Sequence, residues 1–304
     1  MKSAAIETET ATAAPSAKLF QRRPGDFAEL VKARLTLLVL LTTAVGFYVG
    51  APAPVNYLAL FHVVFGTAAA AAGAAALNQW WERKADALMS RTKTRPVPAG
   101  RMRPIEAFIL GGALSLFGIS YLAVACNALS AVLAATTIVI YIFAYTPLKR
   151  VTTTNTLVGA IPGAIPPMIG WAAARGQIDI GAWSLFIILM LWQLPHFFAI
   201  AWMYRDDYSR AGFQMVSTDD RTGERSASQS VFFCILLLVL GGLPAFLEIA
   251  SWIYIPVELA LGGWFVAMAM RFLRMRTPAA ARALFITSIV YLPLLLATLV
   301  LTKS

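Results

Sequence analysis

Asn78, Glu82 and Asp86 recur at four-residue intervals in the stretch NQWWERKAD. At 3.6 residues per turn this spacing drifts by only about 80° over about 12 Å, so one helix face would carry an amide and two carboxylates. Hard oxygen donors of this kind suit Mg2+, which takes one or two carboxylates and leaves its other positions to water and substrate phosphates. Directly downstream, SRTKTRP supplies Arg91, Lys93 and Arg95, cations able to bind phosphate oxygens. Carboxylates for a metal beside cations for phosphate describe a diphosphate site. A helix end that simply wets its polar residues at a membrane interface is the plainer alternative.

A second group lies in WQLPHFFAIAWMYRDDYSRAG. His196 stands among apolar neighbours, where an ionisable side chain is costly and is a functional candidate by default. A neutral histidine hydrogen-bonded to a neighbouring helix would also explain it. Asp206 and Asp207 follow beside Arg205 and Arg210; alone they read as an interfacial salt-bridge group, and with the first cluster as a second acidic rim of the same site. YTPLKR adds Tyr145, Lys149 and Arg150, either phosphate partners or a belt tyrosine with basic anchors. His62 reads as a packed or interfacial histidine. Cys126 and Cys234 lack metal-type spacing and read as packing residues.

The elements that must position these residues are membrane spans. The 304 residues are 59% hydrophobic and 13% charged, whereas a soluble domain carries about 25% charged residues. Nine apolar runs are long enough to cross a bilayer as helices, and no strand-length alternation points to a barrel, so the expected class is an all-α polytopic membrane protein. The net charge of +10 could indicate nucleic acid, but the position of the charge excludes it. Lys and Arg fill alternate connections, including Arg83 to Arg103, Lys149 and Arg150, and Arg205 to Arg225, while GAPAP and CNALS between them carry none. The positive-inside bias then puts the N-terminus in the cytoplasm and the C-terminus in the periplasm of a bacterial inner membrane. The lipid bilayer is the first partner. MKSAAIETETATAAPSA has Glu7 and Glu9 but no apolar core, which argues against a signal peptide. The expected organisation is a disordered cytoplasmic tail over 1–26 and one transmembrane domain over 27–304, with FAELVKARLTLLVLL as an amphipathic approach helix running into the first span. GAIPGAIPPMIGW breaks one span with Pro and Gly, which lipid tolerates where neighbouring groups or a cavity satisfy the freed backbone.

NQWWERKAD resembles the N-x-x-x-[D/E]-x-x-x-D motif of UbiA-type intramembrane prenyltransferases. SRTKTRPVPAGR, YTPLKR and WQLPHFFAIAWMYRDDYSRAG together resemble the haem-farnesylating branch of that family. The resemblance implies a nine-helix bundle around a central cavity open to the cytoplasmic side. It implies that Asn78, Glu82 and Asp86 hold Mg2+ and farnesyl diphosphate, with Arg91, Lys93, Arg95, Tyr145 and Lys149 on the phosphates. Arg150, His196, Asp206 and Asp207 complete the substrate-binding set, with Asp207 as a fourth metal donor. The acceptor would be haem B, the product haem O, and a haem A synthase or oxidase assembly factors the protein contacts. The wider family has an aspartate-rich second motif; here only Asp206 and Asp207 remain of it. Two rivals stand beside this expectation. One is a sister enzyme with a quinone precursor or other aromatic acceptor. The other is a transporter, which would place its ionisable residues near the bilayer midplane rather than crowding them at one face.

Overall fold

The computed structural model describes residues 23–304. Most of the expected tail lies outside the described residues, but its last residues do not behave as a tail. Arg23–Gly25 turn into a short helix, α1 (Asp26–Leu30), with Asp26 buried. Among the described residues nine longer helices follow, each long and apolar enough to cross a membrane: α2 (Ala33–Gly50), α3 (Tyr57–Asp86), α4 (Pro104–Ala125), α5 (Ala128–Leu148), α6 (Asn155–Arg175) and α7 (Ile180–Met203), then, beyond the short α8 (Arg205–Arg210), α9 (Glu224–Phe246), α10 (Tyr254–Met275) and α11 (Pro278–Leu301). Among the described residues there is no sheet, only an isolated bridge between Ala250 and Lys303. The protein is a multi-pass membrane protein.

Packing is set by small residues and by breaks. A β-carbon on Gly73 would run into Ser115 and Gly111, and one on Gly118 into Ala70, so α3 and α4 touch backbone to backbone. Without a hydrophobic driving force between helices in lipid, such small-residue faces are what bring helices together. The order α2 to α7 then winds round to α9, α10 and α11, and α11 packs on both α7 and α2 to close a ring. The Pro-rich span α6 is interrupted at Ile165. Neighbours serve its backbone there: Gln193 Nε2 donates to the Ala160 carbonyl at 2.8 Å, Ser130 Oγ to Ile169 at 3.3 Å, and Asn127 Nδ2 to Ala172 at 2.8 Å.

One departure from the sequence reading, and one agreement with it, matter for the site. The approach helix does not run into the first span. It stops at Leu30, and Lys32 adopts φ +49°, a left-handed conformation uncommon for a residue with a side chain, before α2 begins. The helix carrying the Asn-Glu-Asp spacing continues to Asp86, so all three residues sit on regular helix, as the spacing implies.

Candidate active site

All the basic connections meet at one end of the bundle, and there the last turns of α3 are the centre. Asn78, Glu82 and Asp86 are all buried. Asn78 and Glu82 are matched by groups from distant parts of the chain, and Asp86 by Arg95 nine residues on. Lys32 Nζ donates to Asn78 Oδ1 at 2.7 Å and lies 3.3 Å from Tyr141 OH. Asn78 Nδ2 donates to Thr146 Oγ1 at 3.2 Å. Lys149 Nζ donates to Glu82 Oε1 at 2.8 Å, and Arg95 to Asp86 Oδ2 at 2.7 Å. The two carboxylate side chains are 8% and 1% exposed, so each would be a costly buried charge without its cation.

The cations come from segments with unusual backbone. The left-handed turn at Lys32 brings its side chain back over α3. On α5, residues Ile140–Tyr145 form a π-helical turn, a distortion often found at functional sites. There the Tyr141 and Tyr145 rings stack with centroids 5.8 Å apart. Lys149, just past this turn, lies 4.3 Å from the Tyr145 ring centre. Burial pulls the Lys149 ammonium down, but the Glu82 carboxylate beside it outweighs that and keeps it charged. Lys32 is different: burial, with Arg95 nearby, pushes it down to about 7 against the pull of Glu82.

The connection 87–103 is pinned on both sides. Arg101 pairs with Asp26 at 2.9 Å and Glu29 at 3.2 Å on α1. Gln79 on α3 accepts from Val97 N at 3.3 Å. On the other side Ser90 Oγ donates to Asp207 Oδ1 at 2.9 Å, and Arg210 closes on the same oxygen. Burial raises the Asp207 carboxyl, but Ser90, Arg91 and Arg210 outweigh it and hold it below its ordinary value. Arg91 lies 5.2 Å and 5.8 Å from the ring centres of Tyr204 and Tyr208 and donates to Tyr208 OH at 3.1 Å. Beside Glu82 a cleft of about 430 Å³ opens between α3 and the end of α5, bordered by Lys84, Thr146, Arg150 and Phe213.

The structure thus gathers Asn78, Glu82, Asp86, Arg95, Tyr145 and Lys149, with Arg150 on the cleft rim. It does not gather the rest in the way the spacing implies. Asp206 is exposed and lies 3.8 Å from Arg205. Asp207 pairs with Ser90 and Arg210 and so ties the connection to α8. Lys93 is exposed. His196 lies deeper in α7, its Nδ1 2.7 Å from Ser288 Oγ, away from the carboxylates. Among the described residues no three His, Cys, Asp or Glu side chains come together as a metal site. Two carboxylates on one helix face fit Mg2+ that completes its shell with substrate phosphates and water, and do not fit a cation caged by protein alone.

Residues 39–295 match the UbiA prenyltransferase family. The chain belongs to that family. Among curated relatives of this UbiA-family chain, a protoheme IX farnesyltransferase of Solibacter usitatus is 44% identical over 91% of this chain and 98% of its own. The one from Opitutus terrae is 42% identical over 92% and 95%. The human mitochondrial protoheme IX farnesyltransferase is 38% identical over 92% of this chain and 62% of its own. In fold, the chain is similar to a digeranylgeranylglyceryl phosphate synthase, with a TM-score of 0.76 at 14% identity over 91% of this chain and 97% of that one. It is also similar to a UbiA homologue from Archaeoglobus fulgidus bound to DMAPP and Mg2+, with a TM-score of 0.67 at 16% identity over 90% and 99%.

Lys32, Tyr141 and Thr146 escaped the sequence reading as site residues. Lys32 falls within the approach segment FAELVKARLTLLVLL, although a lysine set inside VKARLTLL is a signal of its own. Tyr141 stands four residues before Tyr145 and could have been placed on its face by helical spacing.

Proposed function

We propose that this UbiA-family prenyltransferase moves the farnesyl group of farnesyl diphosphate to a vinyl group of haem B and so makes haem O. What carries the reading is the pair of buried carboxylates, Glu82 and Asp86, each neutralised by a cation from another segment. In the free protein the cluster is internally balanced. When a diphosphate of about three negative charges enters, Lys149, Arg95 and Lys32 can leave their protein partners for phosphate oxygens, which frees Glu82 and Asp86 as oxygen donors. Glu82 and Asp86, with Asn78 beside them, would hold Mg2+, which would neutralise charge on the leaving group. The cations that remain on the phosphates draw off the electron pair as the allylic C–O bond breaks. The stacked Tyr141 and Tyr145 rings lie alongside and favour the developing positive charge of the farnesyl fragment. The vinyl π-electrons then form the C–C bond. Water adds to the resulting cation and loses a proton, which leaves the hydroxyethylfarnesyl group and free diphosphate.

The acceptor side rests on the relatives, which carry the farnesyltransferase name over most of the chain, and on His196. Its Nδ1 is held by Ser288 Oγ, its ring stacks on Trp192 at 5.5 Å, and Phe285 lies 4.9 Å away. That arrangement suits a ligand to haem iron. Basic connections at the site end argue for that end being cytoplasmic, with the C-terminus periplasmic. The test adds haem B and farnesyl diphosphate to purified protein, with and without Mg2+, and seeks haem O by mass. Release of diphosphate with no new haem mass would turn the assignment toward another aromatic acceptor. Cysteines at Gly100 and Gly176, in a background lacking Cys126 and Cys234, are expected to react with an impermeant reagent from opposite sides; labelling from one side would overturn the orientation.

A further inference from the structure

The chain has two histidines, and the second is built like the first. His62 Nδ1 lies 2.7 Å from Tyr121 OH, as His196 Nδ1 lies 2.7 Å from Ser288 Oγ. Each ring therefore commits one nitrogen to a hydroxyl of a neighbouring span. Among the described residues neither has a hydrogen-bond partner at the other nitrogen. A histidine whose one nitrogen is held in this way presents the other in a fixed direction, the arrangement found behind metal-ligating imidazoles. His62 is also flanked by aromatic rings: Phe61 edge-on at 5.8 Å and Tyr121 at 5.8 Å.

Those rings continue into a wall. Phe65 stacks with Phe61 at 5.8 Å and meets Tyr121 at 5.1 Å and Phe117 at 6.1 Å. Phe61, Phe65 and Phe117 are 57%, 43% and 49% exposed, so the α3–α4 face here looks outward rather than into the bundle. A polar, ionisable ring on an outward face inside a span is costly unless it is used. The place is also separate from the diphosphate site. Sixteen residues of α3 separate His62 from Asn78, about 24 Å along the helix. In the other direction His62 is five residues from Tyr57, about 7.5 Å from the charge-poor end of the span.

We propose that His62 and Tyr121 form a second haem-binding position, on the lipid-facing wall of α3 and α4, with the free imidazole nitrogen on the iron. A haem is flat and amphiphilic. Its apolar edge would lie on Phe61, Phe65 and Phe117, and its propionates would reach the nearby interface. At that distance from the diphosphate the bound haem is not the acceptor in the reaction; it is haem held before entry or after release. The inference rests on haem being the acceptor, and the experiment separates the two.

The full-length protein in detergent is titrated with haem B and followed in the Soret band. The wild-type protein is expected to take up about two haems per chain, one on each hydroxyl-held histidine. His62→Phe keeps an aromatic ring and is expected to take up one while still making haem O at near wild-type rate, which also shows that it is folded. Tyr121→Phe keeps the packing and removes the hydroxyl; there the same position should persist with haem affinity lowered about tenfold, the lower end of what loss of an outer-shell partner costs. Unchanged stoichiometry and spectrum in His62→Phe would overturn the second position, whatever the activity. Loss of one haem in His62→Phe from a protein that makes no haem O would keep the position and overturn the acceptor assignment.

Discussion

The two ends of the bundle use their cations differently. At the charge-poor end, Lys303 Nζ donates to the carbonyls of Tyr48 at 2.8 Å and Ala51 at 2.6 Å, and Arg175 Nε to that of Gly50 at 2.8 Å. These are the last carbonyls of α2, so the cations cap a helix C-terminus and tie α11 and α6 to it. At the basic end, Lys149 and Arg95 rest on carboxylates that a metal can claim. A cation on a backbone carbonyl has a fixed partner, and a cation on a carboxylate has one that can be exchanged. The difference teaches that charge density alone does not mark the site; what each charge is paired with does.

The strongest way to break this contrast is to remove an exchangeable partner. Glu82→Gln and Asp86→Asn are each expected to lower turnover by about 10²–10³-fold, the size of effect seen when a charge-stabilising group is lost. Steady-state rates across an Mg2+ series check it, and near-normal activity at limiting Mg2+ would remove that carboxylate from the donor set. Glu82→Gln also strands Lys149, so it should lose about 3 kcal/mol of stability, as breaking one side of a buried pair does. The double variant Glu82→Gln with Lys149→Met should recover much of that stability in a thermal melt yet stay inactive. Recovery of activity with stability would make the pair purely structural.

Arg95→Gln is expected to raise KM for farnesyl diphosphate by about tenfold or more, since one charge-assisted contact is worth about 1.5–3 kcal/mol. A fall in kcat at unchanged KM would instead place Arg95 on the transition state alone. Asp207→Asn sharpens the contrast from within the basic end. It loosens the connection at Ser90 and is expected to raise KM about threefold without altering Mg2+ dependence, consistent with about 0.5–1 kcal/mol from one pair whose arginine is exposed. A shifted Mg2+ requirement would restore Asp207 as a metal donor. Smallest of all, Lys303→Met should lower the melting temperature slightly, by the equivalent of about 1 kcal/mol, and leave turnover alone.

Much of this protein is written in near neighbours. The apolar runs specify nine spans because length and hydropathy decide what lipid accepts, and four-residue spacing places Asn78, Glu82 and Asp86 on one face because helical geometry is local. The alternation of basic connections likewise gathers the charge at one end. Other features depended on packing between segments remote in sequence. Lys32 joined the site because a left-handed turn, unmarked by any glycine, aims it at Asn78, 46 residues away. Asp207 ties down the connection because Ser90, 117 residues away, packs against it. His62 gained a hydroxyl partner only when α4 lay against α3. A sequence records which groups can pair, through type and local spacing. Which pairs form is decided when helices close over one another and each buried charge must take the nearest partner that relieves the cost of leaving water.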